Sequence, residues 1–344
     1  MKIEQLTFTR FLAAFLVVIF HFGRDVFPFN APFWSFLFDN GDLFVSFFFV
    51  LSGFVMVIAY HSKKIEFFRY LKMRIARIYP VHILGVVLLL ISYSMVDRKA
   101  PLFEIFIQSL LVHPWYPRFS LILNYPSWSL AVEMLFYSLF PFIMVLLNKN
   151  KLQVNIVIAL SLWVFSQLIS YLLKSHVESE TIWLFVNFHP LIHLNEFVIG
   201  NLFALLFLLN RTAYRINTWH LVGLIIMLLL LIKFPFPWVN YKNGFLAPIF
   251  GLVILGLSQN NSSLKQAFAH HQLILLGEIS YAIYILQVPI HSITFYCYNQ
   301  AGYTDKQLFF YVFVVVLLIC SYLSYYLIEM PGKRLINRIN IPFG

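Results

Sequence analysis

The sequence predicts an all-α polytopic membrane protein, a bundle of about ten transmembrane helices, and three observations carry that expectation. Of 344 residues, 61% are hydrophobic and 11% charged, whereas soluble domains carry about 25% charged residues. The mean hydropathy is +0.81. The apolar runs are continuous and recur at roughly 17–25 residues, the length that crosses a bilayer. A membrane β-barrel is excluded, because its strands alternate polar and apolar over about 10 residues.

The spans are read at 7–27, 42–60, 80–96, 127–147, 154–173, 187–209, 217–234, 244–258, 274–295 and 307–329, punctuated by polar or Pro-containing stretches such as "NKNK", "KFPFPWVNYKN" and "SQNNSSLKQ". Residues 1–344 read as a single integral membrane domain. The first run follows Lys2, Glu4 and Arg10 and has no small-residue cleavage site after it, so it is expected to remain as a helix rather than a removed signal. With the N-terminus placed inside, 16 of the 24 Lys and Arg fall on inner segments and flanks, the bias expected of cytoplasmic loops. Ten spans return the C-terminus to the same side. The net charge of +10 is thus a topology signal with attraction to anionic lipid, and no basic soluble module suggests nucleic acid as a partner. Cys297 and Cys320 form no CxxC pair, which leaves no disulfide framework or zinc knuckle.

Polar residues inside the spans are the candidates for function, since an ionisable group in a bilayer is costly and faces a cavity or partner. In "RFLAAFLVVIFH", Arg10 and His21 lie 11 residues apart. That is about three helical turns and about 16 Å along one face. Arg10 fits either snorkelling to the interface or the start of a polar strip; His21 fits either a hydrogen-bonded core imidazole or a reactive group. "NGDLFVSFFFVLSGF" places Asp42 and Ser46 one turn apart at the outer end of span two, with Gly53 deeper for close helix approach. The basic loop before span three carries Arg74 and Arg77 at i, i+3, a spacing that projects two guanidinium forks to one side, suited to phosphate or to lipid contact. "WSLAVEMLFY" sets Trp128 at the outer interface and Glu133 inside. Depths counted from the outer ends bring His21, Ser46, Glu133 and Gln287 to a similar level, and a histidine oriented by a carboxylate is the pairing that general acid–base chemistry needs. In "HPLIHLNEF", His189, His193 and Glu196 sit at i, i+4, i+7, on one face if the helix is continuous; that face suits a polar lining better than zinc, and no metal is expected. Glu329, in "IEMPGKR", could pair with Arg10 or with the Arg74–Arg77 pair.

Seven stretches in order, "RFLAAFLVVIFH", "FVSFFFVLSGF", "MRIARIYPVH", "WSLAVEMLFY", "EFVIGNLFAL", "LLGEISYAIYILQVPI" and "YYLIEMPGKR", resemble the membrane-bound acyltransferase family 3, bacterial proteins that O-acylate surface polysaccharides and related molecules. The resemblance covers essentially the whole chain and implies a bundle of about ten helices in the bacterial cytoplasmic (inner) membrane. It implies His21 as the essential histidine with Glu133 as its carboxylate. Arg10, Arg74, Arg77 and Glu329 match its motifs and are expected to serve the acyl-CoA end; Asp42, Ser46, Trp128 and Gln287 are expected at the acceptor end from their own positions toward the outer ends of the spans. Two positions depart from the family pattern: Ser46 stands where relatives carry an acid, and Gln287 where many carry a histidine. The membrane-only form of the family, without an extra periplasmic domain after residue 344, is expected. The expected activity is transfer of an acyl group, acetyl first, from cytoplasmic acyl-CoA (acetyl-CoA as co-substrate) to a hydroxyl of an exported or lipid-linked glycan. Direct transfer and a transient acyl-histidine both fit. A flippase for a polysaccharide precursor is the rival expectation, and a scaffold subunit a third.

Overall fold

The computed structural model describes residues 3–174, 179–209, 216–259, 268 and 270–339. No strand occurs among them. Thirteen longer helices carry the fold: α1 Gln5–Phe22, α2 Phe44–Tyr60, α3 Phe67–Ser94, α4 Leu102–Ser109, α5 Trp128–Lys149, α6 Leu152–Lys174, α7 Glu180–Phe188, α8 Leu194–Leu209, α9 Thr218–Lys233, α10 Ala247–Gln259, α11 His271–Gln300, α12 Lys306–Ser324 and α13 Met330–Arg338. A chain this apolar keeps its backbone in helices because lipid offers no partner for a free N–H or C=O.

Eight of the ten expected spans are helices long and apolar enough to cross a membrane, α7 and α8 counting together. The other two, α9 and α10, have 16 and 13 residues, or about 24 and 20 Å at 1.5 Å per residue, short of the roughly 30 Å hydrocarbon layer. The third span is longer than expected. Helix α3 has 28 residues and runs through Pro80, so the basic stretch is helical rather than a loop. Proline removes one backbone donor, but with no water to compensate, the helix continues beyond it.

Helices α1, α3 and α11 run parallel. Thr7 meets Gly277 at one end of the α1–α11 contact and His21 meets Gln287 further along; Tyr281 donates to the Ile78 carbonyl at 2.6 Å, joining α11 to α3. Helix α2 lies along α8 through reciprocal glycines. A Cβ on Gly53 would strike the Phe197 carbonyl, and one on Gly200 the Val50 carbonyl, so bare backbones make the close approach. Helix α6 is the most lipid-exposed of the long spans, with 17% of its apolar window buried against 72% for α7–α8.

Candidate active site

Helix α1 turns Val17, Val18 and Ala14 into the core and sets Arg10 and His21 against a row of three cavities. The first, about 280 Å³, lies beside the start of α1 and is lined by Arg10, Arg77, Glu133 and Tyr137 with apolar residues of α2. The second, about 50 Å³, shares Arg10, Phe48, Arg77 and Glu133 with the first. The third, about 240 Å³, shares Val45, Phe49 and Tyr284 with the second and holds His21, Asp42, Ser46 and Trp128.

His21 is held by Gln287. Its Nδ1 lies 2.9 Å from Gln287 Oε1, and Gln287 Nε2 donates to the Tyr284 carbonyl at 2.6 Å. A carbonyl only accepts, so the amide nitrogen must face Tyr284 and the amide oxygen must face the ring. The ring therefore donates through Nδ1–H and keeps a lone pair on Nε2. Tyr125 packs edge-on at 4.9 Å. A neutral glutamine thus does the orienting that the sequence assigns to Glu133. Glu133 lies deeper, accepts from Tyr137 at 3.0 Å, and has Arg77, Arg10 and Arg74 as its charged neighbours. The depth count fails for Glu133 because α1 ends at Phe22 rather than at 27, which leaves His21 at the outer end of its helix.

Arg10 and Arg77 open on the first two cavities, and among the described residues neither makes a hydrogen bond or close ion pair with the protein. Arg74 is not their equal. It donates to Tyr60 Oη at 3.2 Å and stands over the rings of Tyr60, Tyr70 and Tyr137 at 5.7–5.8 Å. One helical face thus divides into a cavity-facing arginine and a caged one. Glu329 ends a π-helical turn, Tyr325–Glu329, with Arg77 and Arg10 as charge neighbours, but lines neither cavity.

At the other end, Asp42 pairs with Lys242 at 2.6 Å; both border the histidine cavity. The Lys242 loop is fixed by Asn243, whose carbonyl accepts from Gln167 at 2.8 Å, and by Gly244 at φ +78, where a Cβ would meet Glu196. Sequence reasoning missed Lys242, counting it only as an outer-loop charge. Ser46 Oγ is buried without a partner, and Trp128 packs at 5.1 Å on Phe188 and on His193.

The His189–His193–Glu196 face does not form. Pro190 ends α7 and imposes a 3₁₀ turn over Pro190–His193. His193 Nδ1 then meets Glu196 at 2.8 Å while Nε2–H donates to the Asn187 carbonyl at 3.0 Å. His189 instead accepts from the Leu191 amide. No cluster of three metal-ligating side chains occurs among the described residues.

Residues 3–328 match the family model of an acyltransferase domain, Acyl_transf_3. A curated relative, "Acyltransferase MdmB" from Streptomyces mycarofaciens, is 31% identical over 150 residues, 41% of this chain and 38% of that protein; the aligned part thus spans well under half the relative's length. No solved structure matches the chain. With its apolar helices and the family match over nearly its whole length, the chain is a multi-pass membrane protein and belongs to acyltransferase family 3.

Proposed function

We propose that the protein moves a short acyl group, acetyl first, from acyl-CoA to a hydroxyl of an exported or lipid-linked glycan in the bacterial cytoplasmic membrane. The observation that carries this reading is the row of cavities with two half-buried guanidinium groups that make no hydrogen bond to the described residues at one end and a histidine with a free Nε2 at the other. Arg10 and Arg77 offer charge-assisted donors to the phosphates of CoA. With the thioester drawn toward the histidine cavity, Nε2 takes the proton of the acceptor hydroxyl. Its oxygen bonds to the acyl carbon, the C–S bond breaks, and the imidazolium returns the proton to the CoA thiolate. Ester and free CoA are the products. Ser46, Asp42 and Trp128 supply polar and stacking contacts of the kind a sugar takes up.

The narrow middle cavity, about 50 Å³, favours this reading over a flippase, which must pass a whole sugar. The test is mass spectrometry of surface glycans from cells with the gene, without it, and with His21→Ala. Loss of ester-linked acyl groups in the last two is expected; unchanged ester content in His21→Ala cells overturns the reading.

A further inference from the structure

The middle cavity is a throat. Its neighbours hold about 280 and 240 Å³ against its own 50 Å³. A water-sized group needs about 10–15 Å³ on such a scale, so the throat holds about four. An acetyl group has three heavy atoms, a butyryl group five and a hexanoyl group seven.

The walls differ in how firmly they are fixed. Tyr281 donates to the Ile78 carbonyl at 2.6 Å and Tyr284 to the Pro126 carbonyl at 3.2 Å. Phe49 is 1% exposed and wedged edge-on between Trp128 and Phe136. Phe48 and Tyr281 are half-buried, but the Tyr281 hydroxyl tethers that ring to α3, whereas Phe48 has no polar atom to anchor it. Its ring stands 5.9 Å from that of Tyr284, and it borders both the throat and the arginine cavity.

We propose that the Phe48 ring, held opposite the anchored Tyr284, sets the length of acyl chain the enzyme accepts. The proposal rests on the acyl-CoA reading above. An acyl chain delivered from the arginine cavity meets the Phe48–Tyr284 pair before His21. The two rings touch, so the acyl group lies beside them in the throat; two carbons fit there, and each further methylene meets a wall that three fixed neighbours prevent from yielding. Discrimination of about tenfold or more per methylene is typical of a closed pocket.

Membranes carrying the full-length protein are given acetyl-, butyryl- or hexanoyl-CoA. Release of CoA thiol is followed above that of His21→Ala membranes. The unaltered protein is expected to prefer acetyl over butyryl at least tenfold. Phe48→Ala and Phe48→Leu should each raise the butyryl-to-acetyl ratio, Phe48→Ala by about tenfold, and Phe48→Trp should lower it. The enlarging and narrowing variants move in opposite directions, so a general packing defect does not mimic the result; if Phe48→Ala fails to accumulate, the other two decide. Chain-length profiles of all variants superimposed on the unaltered profile overturn the proposal while leaving the acyl-CoA reading intact. No thiol release above the His21→Ala background with any thioester overturns both.

Discussion

At the scale of single residues, the site depends on one imidazole and the amide that orients it. Removing a positioned general base costs about 10²–10⁴-fold, so His21→Ala should lose acyl transfer by that factor while accumulating normally. Gln287→Leu should keep the shape of the pocket but free the ring to flip or change tautomer. Its kcat is expected to fall roughly tenfold with the KM for acyl-CoA little changed, in assays on the same membranes. A KM effect larger than the kcat effect would argue against an orienting role. The two arginines should part company. Arg77→Ala removes a charged hydrogen-bond donor from the cavity, an interaction worth about 1.5–3 kcal/mol, and should raise the KM for acyl-CoA about ten- to a hundredfold. Arg74→Ala empties a tyrosine cage and should instead lower yield and thermal stability in detergent. The "RIAR" spacing shows two cations on one side of a helix. It cannot show that Tyr60 and Tyr70 enclose only one of them.

Elements set what those residues can reach. The α2–α8 crossing positions Ser46 and Phe49 against His193 and depends on backbone contact at Gly53 and Gly200. Gly200→Val should cost about 1–3 kcal/mol by overpacking, read as a lower unfolding midpoint in detergent. Between α3 and α5, the connecting segment is secured by buried polar groups: Gln108 Nε2 donates to Ser127 at 2.7 Å and to the Asn124 carbonyl at 3.1 Å, and His113 lies 3.4 Å from Ser127. Burial, reinforced by nearby His82, pushes the His113 imidazole down to about 3. An unfolded imidazole titrates near 6.5, so below that pH the unfolded chain binds a proton that the folded chain refuses. Stability is therefore undiminished above about pH 6.5 and falls as pH drops toward 3. The unfolding midpoint should decrease between pH 7.5 and 5, and by less in His113→Gln; equal decreases would show that other groups dominate.

For the whole molecule, the arrangement predicts two mouths on opposite faces, one basic near the start of α1 and one at the Asp42–Lys242 pair. The charge bias predicts a cytoplasmic basic mouth. In a protein whose Cys297 and Cys320 are replaced by Ser, a cysteine at position 151 should resist an impermeant thiol reagent added to intact cells, and one at position 306 should react; the reverse pattern would invert the molecule and remove access to cytoplasmic CoA.

The helical membrane class, the position of most spans and the identity of His21, Arg10 and Arg77 as cavity residues were legible from the chain, because the cost of polar groups in lipid is local and leaves its mark on composition. The 28-residue α3 was not, since a proline does not reveal which neighbours shelter the backbone. Family membership follows from sequence alone, through the match over residues 3–328. Only the tertiary structure decided that Gln287 rather than Glu133 holds the imidazole, that Lys242 meets Asp42, and that Phe48 packs on Tyr284 at the throat. Those facts depend on the rotation of each helix about its axis and on contacts between residues far apart in sequence, which packing fixes and local pattern does not encode.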